Sequence, residues 1–335
     1  MGNKQIKSTE MQRNDLNLYF SHVLETKLRF HRSDQEVHDI QTAVNVMVER
    51  IACTLGKQHG HLKILRVVSV GSMREGTKIR EPDEFDFILV LEHLSRPGAI
   101  DVVGENEHGS GYKHVIVKDE TLRSQWSHCL NNNLIKGTMG SGISYFFYWM
   151  FGYDVGLRQE FYKQLKNVLA TVMKNEGTCV MESGVLSLRK ASLVRHGPAF
   201  TVAFRWKPID EQSKDLKICV DLTPAIQLEL SEEILEESQV YDQRFYQALK
   251  NTNRYMIVPC NRAASCWDGL CFRLTFTETE VQLLSTNKYE YISNCPRFQD
   301  YTWLFSDSVL SHHIRCYKVM KYIFGSDSPI QDRGV

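Results

Sequence analysis

The chain has 335 residues and a mass of 38.8 kDa, with 40 Lys+Arg against 40 Asp+Glu, 42% hydrophobic and 24% charged residues. That composition can bury a sizeable core and excludes disordered, collagen-like and low-complexity classes, while zero net charge excludes a protein that wraps nucleic acid over most of its surface. No apolar stretch reaches the roughly 20 residues of a membrane span, Met1 to Ile6 offers neither a signal core nor a myristoylation Ser/Thr, and nine irregularly spaced Cys read as reduced thiols, so a cytoplasmic chain is expected.

An amphipathic piece, Leu16 to Leu28, precedes a stronger helix in which Val37, Ile40, Val44, Met47, Val48, Ile51 and Leu55 share one face. Ser33 and Glu36 make a capping box just before it. Ile64 to Val70 then changes to a β-branched run that stops at Gly71-Ser72 and reads as a strand. Phe85 to Leu91, Phe200 to Trp206 and Lys217 to Leu222 are further strands, the last two expected to form a hairpin around the polar stretch 207–215. Between the second strand and that hairpin lie a Gly-rich loop near Val103 to Tyr112 and a helix over Arg158 to Lys174. After Pro224 the chain is expected to be largely helical, ending in a helix over Asp307 to Phe324 that stops at Gly325.

The chemistry concentrates in Val70 to Val90. Glu84 and Asp86 alternate with Phe85 and Phe87, so a strand's period of two puts both carboxylates on one face and both rings on the other. Two neighbouring acids on an apolar strand repel each other unless a cation lies between them, and oxygen-only ligands suit Mg²⁺ or Mn²⁺. Gly71 and Ser72, at the end of the preceding strand, read as a phosphate grip, with a glycine for close backbone approach and a hydroxyl donor. Asp221, near the end of Lys-Ile-Cys-Val-Asp-Leu, would supply a third acid if its strand joins the same sheet. Gly71 to Lys78 fails as a P-loop because the Lys and hydroxyl are in the wrong order and a strand follows, and Gly140-Ser-Gly142 lacks the third glycine of a dinucleotide fingerprint. Arg189, Lys190, Arg195, Arg205 and Lys207 form an acid-free basic segment.

Gly-Ser, a loop, Glu-Phe-Asp and a distant strand Asp resemble the nucleotidyltransferase fold of DNA polymerase beta relatives, and more specifically the cyclic GMP-AMP synthase and male-abnormal (Mab-like) family. Gly-Pro-Ala at 197–199, Val-Asp-Leu-Thr-Pro-Ala-Ile at 220–226, Phe-Arg-Leu-Thr-Phe-Thr-Glu-Thr-Glu at 272–280 and Arg-Cys-Tyr-Lys-Val-Met-Lys-Tyr at 315–322 extend the likeness over about 60–324. The resemblance implies an α+β fold with a mixed sheet core, a long N-terminal helix and a C-terminal helical lobe. Residues 1–225 would hold the helix and core, and 226–335 the lobe, shortened at its end. It also implies Glu84, Asp86 and Asp221 as catalytic metal ligands, with Gly71 and Ser72 on the triphosphate, Arg273 on the acceptor nucleotide and Lys321 on donor phosphates.

The likeness departs at the zinc thumb. Cys295, His312 and His313 occupy its interval without a Cys-Cys pair, and Cys260, Cys266 and Cys271 are too loosely spaced, so no zinc is expected. The implied activity is joining ATP and GTP, or other nucleoside triphosphates, into a cyclic dinucleotide. A ligand, double-stranded RNA or DNA, would trigger it in innate immune signalling. A catalytically silent Mab-like scaffold is the second reading, and a linear oligonucleotide synthetase the third. Oligomeric state is left open.

Overall fold

The structure is a computed structural model that describes residue 18 and residues 29–76, 78–104, 112–126, 157–189, 193–210, 213–238, 243–259 and 271–286. The chain divides into two compact units. One comprises Met1–His38, Ser72–Pro82 and Leu284–Val335, the other Asp39–Gly71 and Asp83–Leu283. The expected helices over 16–28 and 307–324 lie outside the described residues, residue 18 aside.

Helix α1 (Asp34–Gln58) is the long N-terminal helix. Ser33 Oγ accepts from the Glu36 N–H at 3.1 Å, as a capping residue should, and the Glu36 carboxylate is engaged by Arg32. Asp34 and Glu36 in the first turn and Lys57 in the last complement the helix dipole. The predicted apolar face is the buried one, with Ile40, Val44, Met47, Val48, Ile51 and Leu55 all at 0% exposure.

A short 3-10 turn (Gly60–Leu62) leads into β1 (Ile64–Val70), the one-turn helix α2 (Gly71–Arg74) and β2 (Glu84–Leu91). Strands β3 (Ile100–Gly104) and β4 (Tyr112–Val117) pair antiparallel on either side of the expected Gly-rich loop, and α3 (Glu120–Gln125) follows. Helix α4 (Leu157–Glu176) precedes β5 (Thr178–Val180), β6 (Gly184–Leu188), β7 (Val194–His196), β8 (Ala199–Pro208) and β9 (Leu216–Glu229). The chain continues through α5 (Glu232–Ser238), α6 (Gln243–Thr252), β10 (Arg254–Pro259), β11 (Cys271–Thr275) and α7 (Thr277–Thr286). Among the described residues no helix is long and apolar enough to cross a membrane.

All eleven strands among the described residues join one mixed sheet. Its longest path is β3-β4-β11-β10-β9-β8-β6-β5, with β2 on β9, β1 on β2 and β7 on β8. β2 and β9 run parallel, and the other described pairings are antiparallel. The expected hairpin forms as β8 and β9, with Phe200 opposite Leu222 and Trp206 opposite Leu216.

One face of the sheet is the aromatic core. Phe85, Phe87, Phe200, Val202, Phe204, Trp206, Val220 and Leu222 are buried there. α4 covers part of it, with Phe161 5.5 Å and Tyr162 5.8 Å from Phe200 between ring centroids. Each such side chain withdrawn from water contributes about 1.5–3 kcal/mol. α1 is tied to the other end of α4 and to β5: Arg50 Nη1 donates to the carbonyls of Thr178 at 2.7 Å and Glu176 at 3.2 Å. Ser183, in the turn after β5, donates its N–H and Oγ to Asp39 Oδ2 at 2.8 and 2.7 Å.

The expectation of a largely helical chain after Pro224 needs correcting in detail. α5, α6 and α7 are present, but β9 runs through Pro224 to Glu229, and β10 and β11 extend the sheet beyond it. Pairing of β9 with β8 ends at Leu222 and pairing with β10 begins at Ile226. Pro224, which has no N–H to donate, sits in that interval. Tyr255 to Val258 form a short continuous apolar run buried throughout, a pattern that periodicity alone does not distinguish from buried helix.

Candidate active site

The parallel pairing of β2 and β9 sets the geometry. Asp86 lies directly opposite Asp221 and Glu84 opposite Cys219, one pair along. Residues opposite each other on adjacent strands share a face, so Glu84, Asp86 and Asp221 stand together on the face away from Phe85 and Phe87. The two aspartate positions are one strand spacing apart, about 4.8 Å. Glu84 is exposed, and Asp86 and Asp221 are partly buried.

β1 completes the row, with Val70 opposite Asp86. The next residue, Gly71, has φ +71°, in the left-handed region that favours glycine. A Cβ built there would overlap Asp86 Oδ2 and come within 2.8 Å of Asp86 Cγ. Gly71 was expected to let the backbone approach a phosphate; what its missing side chain admits in this structure is the Asp86 carboxylate. Ser72 belongs to the other unit, where its carbonyl accepts from the Lys78 N–H at 3.0 Å.

Asp221 has partners that the sequence did not single out. Thr201 Oγ1 donates to Asp221 Oδ1 at 2.5 Å, and His196 Nδ1 lies 3.5 Å from Asp221 Oδ2. The available signal was a polar Thr within the apolar run of β8, but its register against β9 is set between strands and not by its neighbours in sequence. A basic residue in an apolar strand, Arg66 of β1, makes a bidentate pair with Glu278 of α7 at 2.6 Å for each bond. It also donates to Gln227 of β9, at 3.0 Å through Nε. Arg254 adds a contact to Glu278 at 3.2 Å. Burial pushes the Glu278 carboxyl up, but hydrogen bonds and charge from Arg66, then Arg254, outweigh it and hold the group below its ordinary value.

Arg273 is exposed on β11 opposite Val258. The register of β9, β10 and β11 puts it on the same face as the acids, near the level of Ala225 and two strand spacings from β9, about 16 Å from Asp221 by strand geometry. Lys321, Cys260, Cys266, Cys295, His312 and His313 lie outside the described residues, as does the side chain of Cys271. Cys53, Cys179 and Cys219 are free thiols.

The basic segment divides between two faces. Arg195, opposite Phe200, turns to the side of α4, where its guanidinium lies 4.6 Å over the Tyr162 ring and bonds Gln159. Arg205 and Lys207 project from the opposite face, and Arg205 pairs with Asp215 at 2.7 Å through Nε. Arg189 is exposed beyond the end of β6, and Lys190 lies outside the described residues.

A divalent cation fits these residues by donor chemistry and placement. Three carboxylates share one face, two of them in register, and the strand end before them is a glycine that leaves room for Asp86. The side chains as they stand are not closed around a common point: among the described residues no group of three His, Cys, Asp or Glu is assembled to hold a metal ion. The backbone register that brings the acids to one face is in place.

A mixed sheet with a central parallel pair, acids in register across it and a Gly-Ser turn before them is the core of an α+β nucleotidyltransferase. Residues 73–286, well over half the chain, match the model of the Mab-21 protein nucleotidyltransferase domain. The protein belongs to the Mab-21 nucleotidyltransferase family, as its motifs implied, and so to a family of transferases with nucleoside triphosphate substrates.

Proposed function

We propose that this protein is a metal-dependent nucleotidyltransferase that joins two nucleoside triphosphates, ATP and GTP among them, into a cyclic dinucleotide with release of pyrophosphate. The observation that carries the reading is the placement of Asp86 opposite Asp221, with Glu84 on the same face, inside a Mab-21 nucleotidyltransferase domain. Mg²⁺ or Mn²⁺ held by these carboxylates would neutralise charge on the reacting phosphate and favour ionisation of the attacking ribose hydroxyl. The chain itself supplies position and electrostatics: Glu84, Asp86 and Asp221 hold the charge, the Gly71-Ser72 turn grips the triphosphate, Arg273 meets the acceptor nucleotide and Lys321 the donor phosphates.

The enzyme acts in the cytoplasm as an innate immune receptor, with double-stranded RNA or DNA as the triggering ligand. Because the basic segment splits between two faces, nucleic acid would engage Arg189 and Lys207 on one side of the sheet or Arg195 on the other, and its binding should weaken steeply with salt.

The second reading is a silent Mab-like scaffold that binds nucleotides without turning them over. One experiment separates the readings. Pure protein is incubated with the four labelled triphosphates and Mg²⁺ or Mn²⁺, with and without double-stranded RNA or DNA, and the products are resolved. A cyclic dinucleotide supports the proposal, linear oligomers indicate a synthetase, and nucleotide binding without product under every condition replaces the enzyme with the scaffold.

A further inference from the structure

Each of the two in-register aspartates has its own support. Asp86 is admitted by the missing Cβ of Gly71, and Asp221 is held by Thr201. Thr201 is directly opposite Asp221 in the antiparallel pair of β8 with β9, so both side chains leave the same face within reach of each other. A Thr in a strand is stiff at χ1, so the backbone presets the direction of its hydroxyl. An O–H donated to a carboxylate at 2.5 Å is a charge-assisted bond, stronger than one between neutral groups. It is also sheltered, since the Asp221 side chain is 15% exposed.

The two carboxylate oxygens are held unequally. Oδ1 takes the Thr201 bond, whereas Oδ2 faces His196 Nδ1 at 3.5 Å, at the outer limit of a hydrogen bond, from a ring that is 79% exposed. We infer that Thr201 is a positioning residue for metal binding: it pins Asp221 by Oδ1 and leaves Oδ2, met only at long range by His196, as the oxygen free to turn to a cation. The inference rests on the proposed function and adds to it a residue outside the ligand set. Groups that orient a metal ligand from behind commonly change metal affinity by about 10–100-fold when removed.

The test measures Mn²⁺ binding to the purified full chain by electron paramagnetic resonance of the free ion, alongside thermal unfolding by circular dichroism. Thr201→Val removes the hydroxyl at nearly constant volume, Thr201→Ser keeps it, and Asp221→Asn tests the ligand itself. Thr201→Ala takes the place of the Val variant if a methyl against the carboxylate prevents folding. The expected result is a fall in Mn²⁺ affinity of about tenfold or more for the hydroxyl-free variant and a value within about twofold of the parent for Thr201→Ser. Parent-like Mn²⁺ binding by the hydroxyl-free variant, with weakened binding by Asp221→Asn, overturns the role of Thr201 and leaves the metal reading standing. So does a Ser variant as weak as the hydroxyl-free one. Equal binding by parent and Asp221→Asn, or none by either, overturns the metal reading and this inference together.

Discussion

On the sheet face that carries Asp86, the first halves of β2 and β9 present Glu84, Asp86 and Asp221, whereas the second halves close over Ile88, Val90 and Ala225. Val70, Met256 and Val258 pack with these three into a buried apolar cluster, and Val68 lies against it. The backbone and its alternation are the same at both ends; only the side chains and their cover differ. At the closed end, apolar residues on both faces of β2 exclude water, and Arg66 is satisfied by Gln227 and Glu278. At the other end the acids keep partial access to solvent, as the proposed role in cation binding requires. The closed end thus anchors the register that the acidic end uses.

The largest effect expected from breaking this contrast is on chemistry. If the proposed function holds, Glu84→Gln combined with Asp86→Asn should lower nucleotide turnover by about a thousandfold or more, because metal ligation would supply several kcal/mol at the reacting phosphate. Urea unfolding of that double variant should be unchanged or slightly steadier, since two close carboxylates no longer repel. Parent-level product from the folded variant would contradict the assignment.

Gly71→Ala forces a left-handed backbone onto an L side chain and drives a methyl into Asp86. A loss of about 3 kcal/mol in urea unfolding is expected, together with weaker Mn²⁺ binding as the carboxylate is displaced. A variant as stable as the parent would mean that β1 can retreat from β2 at no cost.

At the closed end, Val90→Ala opens a cavity at a fully buried position and should cost about 2 kcal/mol. Its Mn²⁺ affinity at a temperature where the fold persists should match the parent, which sharpens the division between anchoring and chemistry.

The smallest effect concerns Glu278. Replacing it by Gln removes the carboxylate that engages Arg66 and should cost about 1–2 kcal/mol at neutral pH. Because the fold holds this carboxyl below its ordinary value near 4.5, its charged form contributes stability fully above that value, and the contribution is lost as pH falls through the lower, folded-state pKa. The gap in urea midpoint between parent and variant should therefore be widest at neutral pH and narrow below about 4.5; a gap independent of pH would remove charge as its cause.

Local pattern was enough for several parts of this molecule. Ser33 and the recurring Val37-to-Leu55 face specify α1, because capping and 3.6-residue periodicity are properties of adjacent residues. The alternation of Glu84 and Asp86 with two Phe puts the acids on one face for the same reason, and the motifs around them carried the family. β10 and β11 were not legible, since Tyr255 to Val258 is buried on every side and carries no period. Nor was the split of the basic segment, because Arg195 and Arg205 are assigned to opposite faces by different strands.

What the sequence determined by itself was the helix, the strand carrying the paired acids and the family, all encoded in neighbours along the chain. The tertiary structure decided that Asp221 stands opposite Asp86, that Gly71 yields its side-chain space to that carboxylate, and that Thr201 takes hold of Asp221. Each depends on the register between strands distant in sequence, and a shift of one residue would turn every one of those side chains to the other face.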